Sequence, residues 1–127
     1  MLKLLAEHRR PVLIALRVVL FVGTAIGLYW ALKPVPPASS VHFRDKVEHF
    51  ICFYLLTATA LAAYPKARAV ILVLVLAVFG AAIEGLQALP VIGRDAEFLD
   101  WVADIAGVLT ALLPALALPP VRRALEP

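Results

Sequence analysis

The sequence predicts an all-α membrane protein: one domain folded as a bundle of four transmembrane helices. Of its 127 residues 63% are hydrophobic and only 17% are charged, which leaves too little polar surface to cover a water-soluble globule of this size. Four apolar stretches, at residues 12–32, 47–64, 69–89 and 101–118, each come close to the ~20 residues that a helix needs to cross the hydrocarbon core.

The first apolar stretch follows several basic residues, as in a signal peptide. It is longer than a typical signal-peptide core and no clean A-x-A cleavage site follows it, so we interpret it as an uncleaved anchor. Proline and glycine separate the spans: three prolines lie in residues 33–43, Pro65 lies in a tight turn, and Pro90 and Gly93 break the chain before the last span.

The distribution of basic residues predicts the orientation. With the N-terminus in the cytoplasm, eight basic residues face inward and four face outward, which is the positive-inside bias. The inner residues are Lys3, Arg9, Arg10, Arg17, Lys66, Arg68, Arg122 and Arg123. The outer residues are Lys33, Arg44, Lys46 and Arg94. Four spans return the C-terminus to the cytoplasm as well.

Nucleic acid is excluded as a partner, because the basic residues are scattered among short loops and ends without interleaved aromatic residues. The surrounding partner is the lipid bilayer. The single cysteine, Cys52, permits no intrachain disulfide.

Polar residues inside the apolar runs are the main functional clue. Glu84 lies about 15 residues into the third span, which at ~1.5 Å per residue is about 22 Å from the inner edge and roughly 8 Å below the outer one. Asp104 enters the fourth span about 5 Å deep by the same rule, and His49 enters the second span at a similar depth. Three helices therefore supply an ionisable group to one outer layer.

Helical periodicity places these groups on inward faces, because residues three and four apart share a helix surface. The stripes are Asp45, His49, Cys52 and Leu56; Gly80, Glu84 and Gln87; and Asp100, Asp104, Gly107 and Ala111. A lone carboxylate at the centre of a span costs about 2.5–3.5 kcal/mol, so Glu84 must be protonated, paired or in contact with water. The polar stripes predict a cavity open to the outside; a clamp that only joins helices is the structural alternative. Asp95 and Glu97 are interpreted as solvated loop or helix-entry charges.

The order of these motifs resembles the VanZ-like family of small bacterial membrane proteins, over residues 45–111. The matching pattern is Asp45-Lys46-x-x-His49, Glu84-x-x-Gln87, Arg94, Asp100, Asp104 and Gly107. Two positions depart from the family pattern: Phe53 stands where tyrosine is usual, and Asp104 stands where asparagine is usual.

This resemblance implies a multi-pass protein of the bacterial inner membrane with a role in the cell envelope. The founding member of the family is linked to resistance to the glycopeptide teicoplanin, and the biochemical activity of the family is not established. Fold and family do not by themselves supply a chemistry.

The first functional hypothesis is an extracytoplasmic binding site for an envelope lipid, such as a polyprenyl phosphate, or a glycopeptide-related ligand. In it Lys46 and Arg94 hold an anionic headgroup while Glu84, Gln87 and Asp104 bond its polar neighbours. The predicted ligand-binding residues are Asp45, Lys46, His49, Glu84, Gln87, Arg94, Asp100 and Asp104.

Two other classes of function stay open. His49, Glu84 and Asp104 could act as general acid and base in an intramembrane hydrolase or transferase, or could hold a divalent metal. No established metalloprotease, serine-hydrolase or paired-cysteine motif is present, so no cofactor and no metal site are assigned. A non-catalytic assembly subunit is the third hypothesis, and the oligomeric state is open.

Overall fold

The computed structural model describes residues 2–34 and 42–117, in which four α-helices and no strand are found. The helices are α1 (Leu2–Leu32), α2 (His42–Ala63), α3 (Ala69–Gln87) and α4 (Phe98–Ala117). The all-α prediction is therefore confirmed. Most of the predicted proline-rich loop at 33–43, and the C-terminal residues Arg122 and Arg123, lie outside the described residues.

Three helical segments are long and apolar enough to cross a membrane: Arg9–Leu32, Phe43–Ala63 and Ala69–Gln87. They indicate a membrane protein, because an apolar helix of about 20 residues matches the hydrocarbon thickness. α4 is not among the three segments found in the described part of the chain. A fourth crossing by α4 and a cytoplasmic location of both termini stay predictions.

Three of the four described helices begin earlier than their predicted apolar stretches do. α1 starts ten residues before the predicted span, α2 begins at His42 and α4 at Phe98, so the charged residues just before these three spans are helical; α3 begins at Ala69, as predicted. Asp45 lies in the first turn of α2 and Asp100 in the first turn of α4. A carboxylate there interacts favourably with the unpaired N–H groups and the positive end of the helix dipole. An acidic first turn thus favours extension of α2 and α4 beyond their apolar parts.

Side-chain contacts show that the four helices alternate in direction. Gln87, the last residue of α3, donates to the carbonyl oxygen of Ala31 near the end of α1. Lys46, in the first turns of α2, bonds to Asp100, in the first turn of α4. Arg94 bonds both Trp30, near the end of α1, and Asp45, near the start of α2. The ends of α1 and α3 therefore lie at the same end of the bundle as the starts of α2 and α4.

Glycines allow the closest helix contacts, as small residues do in membrane bundles. α2 and α4 form the most extensive helix pair. At Gly107 of α4 an added Cβ would lie 2.4 Å from the carbonyl oxygen of Phe50 and 3.0 Å from the backbone nitrogen of Tyr54. The buried apolar centre nearby is formed by Phe53, Ile83 and Val108. Close α2–α4 packing therefore requires glycine at 107.

Gly107→Ala is expected to destabilise the bundle by about 1–3 kcal/mol, the usual cost of overpacking, because the added methyl meets backbone that cannot rotate away. Gly85→Ala is the matched control, since a Cβ at Gly85 meets nothing within 4 Å. Thermal unfolding in detergent measures both. Equal unfolding temperatures for the two variants would contradict the proposed contact.

Candidate functional site

A polar layer lies at the end of the bundle where α1 and α3 end and α2 and α4 begin. Its members are Asp45, Lys46, His49, Glu84, Gln87, Arg94, Glu97, Asp100 and Asp104. Four of these residues are buried, with exposed fractions of 7% for His49, 1% for Gln87, 1% for Asp100 and 0% for Asp104. Burial of so many polar groups is costly unless they bond one another.

Lys46 joins α2 to α4 through two carboxylates. Its Nζ bonds Asp100 Oδ1 at 2.9 Å and also bonds the carboxylate of Glu97. Asp100 is almost fully buried, so this ammonium group is the charge that neutralises it. Lys46 therefore serves the α2–α4 contact.

Arg94 ties the α3–α4 connection to α1 and α2. Its Nη2 donates to Asp45 Oδ1 at 2.9 Å. Its Nη1 lies 3.1 Å from the carbonyl oxygen of Trp30 and 3.3 Å from that of Lys33, both at the end of α1. The guanidinium thus donates to carbonyl oxygens that have no hydrogen-bond partner within the helix.

A hydrogen bond between His49 and Asp104 crosses the buried centre of the layer. His49 Nδ1 lies 2.8 Å from Asp104 Oδ1. The other oxygen, Asp104 Oδ2, is pressed against α3, where a Cβ at Gly80 would lie only 2.6 Å away. Glycine at 80 therefore makes room for a carboxylate at 104, one of the two positions at which this chain departs from the VanZ-like pattern.

Glu84 and Gln87 lie on the same face of α3. Glu84 Oε2 accepts the backbone N–H of Glu97 at 3.1 Å. Gln87 donates from Nε2 to Ala31, 2.8 Å away. Within the described residues three buried oxygens have no hydrogen-bond partner: Glu84 Oε1, Gln87 Oε1 and Asp104 Oδ2. The layer therefore keeps acceptor capacity that its own donors do not use.

Glu97 belongs to the layer although its sequence context suggests a solvated charge. Its side chain bonds Lys46 and its backbone N–H bonds Glu84. The sequence feature that could have placed Glu97 in the layer is its spacing, because Glu97, Asp100 and Asp104 follow the i, i+3, i+7 pattern of one helix face. Asp95, interpreted in the same way, is exposed.

Beside the polar layer lies a cavity of about 350 Å³ between α1, α2 and α3. Of the eight predicted ligand-binding residues, Asp45, His49 and Arg94 line it. Lys46, Glu84, Gln87, Asp100 and Asp104 do not. The binding role of all eight stays a prediction, and the cavity brings in residues of α1 that the motifs do not mark.

The lining of the cavity changes from charged to apolar residues along its length. Its exposed end carries Lys33, Arg44 and Glu48, and Lys33 Nζ lies 4.7 Å from the centre of the Trp30 ring. Farther along α1, α2 and α3 the lining is mostly apolar. It consists there of Thr24, Gly27, Leu28, Ala31, Cys52, Phe53, Leu56, Phe79 and Ile83. The cavity thus combines a charged opening with an apolar interior.

No family model, curated protein or solved structure matches this chain. The VanZ-like assignment rests on the motifs alone and stays a prediction. Phe53, the first position that differs from the VanZ-like pattern, is buried in the apolar centre with 2% of its surface exposed. A phenylalanine there fills space between helices.

Lys46→Met is expected to destabilise the protein by about 2–3 kcal/mol, somewhat less than the ~3–5 kcal/mol for a fully buried pair, because it leaves Asp100 buried without its cation. Lys33→Met is the matched control, since no carboxylate among the described residues pairs with Lys33. Adding Asp100→Asn to Lys46→Met should restore part of the loss. Thermal unfolding measures these effects, and equal stability of the two lysine variants would contradict the assignment.

Proposed function

We propose that this protein binds an envelope lipid with an anionic headgroup in the cavity between α1, α2 and α3. The observation that carries the proposal is the change of lining, from exposed charged residues to partly or fully buried apolar ones, within one cavity of about 350 Å³. Small-molecule sites span about 300–1,000 Å³ and combine apolar walls with a few polar groups. An amphiphile matches that arrangement better than a wholly polar ligand does.

The charges at the opening support an anionic headgroup. Arg44 is highly exposed and its only acidic partner among the described residues is Glu48, one helical turn away on the surface. Such an exposed pair contributes little, so a phosphate can replace Glu48 at small cost. Lys33 adds a second positive charge to the same opening. Lys46 and Arg94, in contrast, already bond carboxylates, so we assign headgroup binding to Lys33 and Arg44.

The membrane setting places the cavity within reach of lipid. We propose that α4 is a fourth span, because it runs parallel to α2 and packs along it. The positive-inside bias then puts the cavity opening on the extracytoplasmic side. The VanZ-like resemblance supports a bacterial envelope lipid, and it makes a glycopeptide such as teicoplanin a further ligand to compare.

A catalytic role is a second candidate, favoured by one observation. His49 lines the cavity and also bonds the buried carboxylate of Asp104. A carboxylate that orients an imidazole is a recurring general-base arrangement. Turnover of a bound lipid by the wild type, lost in His49→Gln while binding persists, would favour catalysis over binding alone.

Thr24→Trp is expected to reduce lipid binding about tenfold or more, equivalent to ~1.4 kcal/mol, because the indole fills the apolar interior of the cavity. Thr110→Trp is the matched control: both threonines bond the carbonyl four residues earlier on their own helix, but Thr110 is exposed and outside the cavity. Mass spectrometry of lipids retained in mild detergent, and the Kd for a polyprenyl phosphate, measure the effect. Equal binding by both variants would rule out the cavity as the site.

Lys33→Gln and Arg44→Gln should each weaken binding of the same lipid about fivefold, from ~1 kcal/mol per basic residue near anionic lipid. The double variant Lys66→Gln/Arg68→Gln removes two exposed charges at the other end of the bundle and should leave affinity unchanged. A parallel titration with an uncharged polyprenyl alcohol should show no loss in either opening variant. Equal losses for the alcohol and the phosphate would contradict headgroup recognition.

A further inference from the structure

We infer that His49, Glu84 and Asp104 form a binding site for a divalent transition metal, with zinc as the best match. One ligand atom from each residue lies within 4.8 Å of the other two. The residues come from α2, α3 and α4, so the site would join three helices. This inference is independent of the lipid proposal.

Each of the two carboxylates is held by one oxygen and leaves the other unbonded. Glu84 Oε2 accepts the N–H of Glu97, and Asp104 Oδ1 lies 2.8 Å from His49 Nδ1. Glu84 Oε1 and Asp104 Oδ2 are buried and have no partner among the described residues. Outer hydrogen bonds that orient a ligand while leaving one atom available are characteristic of metal sites.

Asp104 provides the strongest single observation. Its side chain has 0% exposure, yet Oδ2 lacks a donor. A Cβ at Gly80 would come within 2.6 Å of that oxygen. The glycine at 80 therefore leaves free the space that the carboxylate needs. A carboxylate oxygen buried in this way calls for a cation or a hydrogen-bond donor unless the carboxyl itself is protonated.

The charge balance favours a cation. With neutral His49 the three groups carry a net charge of −2. The cations in the same layer bond elsewhere: Lys46 to Glu97 and Asp100, and Arg94 to Asp45. In the described part of the chain no lysine or arginine bonds Glu84 or Asp104. A divalent ion would neutralise both carboxylates in one step.

Ligand type and spacing favour zinc or a similar ion. One imidazole nitrogen and two carboxylate oxygens suit zinc and its neighbours, whereas calcium and magnesium prefer oxygen alone. Zinc bonds of ~2.0–2.2 Å in tetrahedral geometry put ligand atoms about 3.4 Å apart, so a modest closing of the three side chains would complete the site. His49 also lines the cavity, so water or a ligand in the cavity could take the fourth position.

A neighbouring group, Asp45, His49 and Asp100, has similar spacing. Both of its carboxylates already bond cations, Asp45 with Arg94 and Asp100 with Lys46. A metal would have to displace those ion pairs. The group containing Glu84 and Asp104 is therefore the better site.

The test is metal binding by the full-length protein in nanodiscs, stripped with chelator and then dialysed against zinc or cobalt. We expect about one zinc per chain by elemental mass spectrometry, visible d–d absorption with cobalt, and a raised unfolding temperature on zinc addition. Glu84→Gln and Asp104→Asn should each lower zinc affinity at least tenfold. Asp95→Asn, an exposed carboxylate, is the matched control and should keep wild-type affinity; Asp100→Asn tests the neighbouring group and should lower affinity less than Asp104→Asn does.

The wild type alone can overturn the inference, independently of whether the variants fold: far less than one zinc per chain, with no cobalt absorption, would do so. Unchanged affinity in folded Glu84→Gln and Asp104→Asn, or loss in Asp100→Asn with retention in Asp104→Asn, would also overturn it. Circular dichroism and size-exclusion profiles establish which variants are folded. Neither result depends on lipid binding, so failure here leaves the lipid proposal standing.

Discussion

Asp104 is completely buried on α4, and its carboxylate is held there by His49 of α2, whose Nδ1 lies 2.8 Å from Oδ1. In an apolar bundle neither group can turn to solvent for its hydrogen bonds, so the contact sets how α2 and α4 lie against each other. Two glycines accommodate this contact. Gly80 of α3 leaves room for the Asp104 carboxylate, and Gly107 of α4 lets the α2 and α4 backbones touch.

The remaining charged side chains are arranged around that contact according to how deeply each is buried. Lys46 and Arg94 reach toward the periphery of the layer, where long basic side chains keep partial access to solvent, and each bonds a carboxylate there. The groups closest to the centre contain no lysine or arginine among the described residues. Cations bound so firmly are poorly available to an external anion, which is why we propose headgroup recognition at the exposed opening of the cavity.

Much of this arrangement follows from sequence, for identifiable reasons. Helical periodicity and apolar length predict four helices and a layer shared by His49, Glu84 and Asp104, because both depend only on spacing along one chain. The pairing of Lys46 with Asp100 depends on how two helices are rotated against each other, which spacing does not determine. The cavity also depends on α1, whose lining residues Thr24, Leu28 and Ala31 are too ordinary to mark a site. The residues next to Glu97 in the sequence do not predict its role, since its side chain bonds Lys46, which is 51 residues away.

His49 is the one side chain that belongs both to the cavity wall and to the group with Glu84 and Asp104. Its imidazole has two nitrogens, and the bond that Nδ1 makes to Asp104 determines what the ring presents elsewhere. Anything that binds the carboxylates therefore changes the hydrogen-bonding character of the cavity wall, and anything that binds the cavity acts on the same ring. Coupling between two such sites is reciprocal in free energy. A single histidine thus gives the bundle a physical route by which its charged centre and its apolar cavity can affect each other.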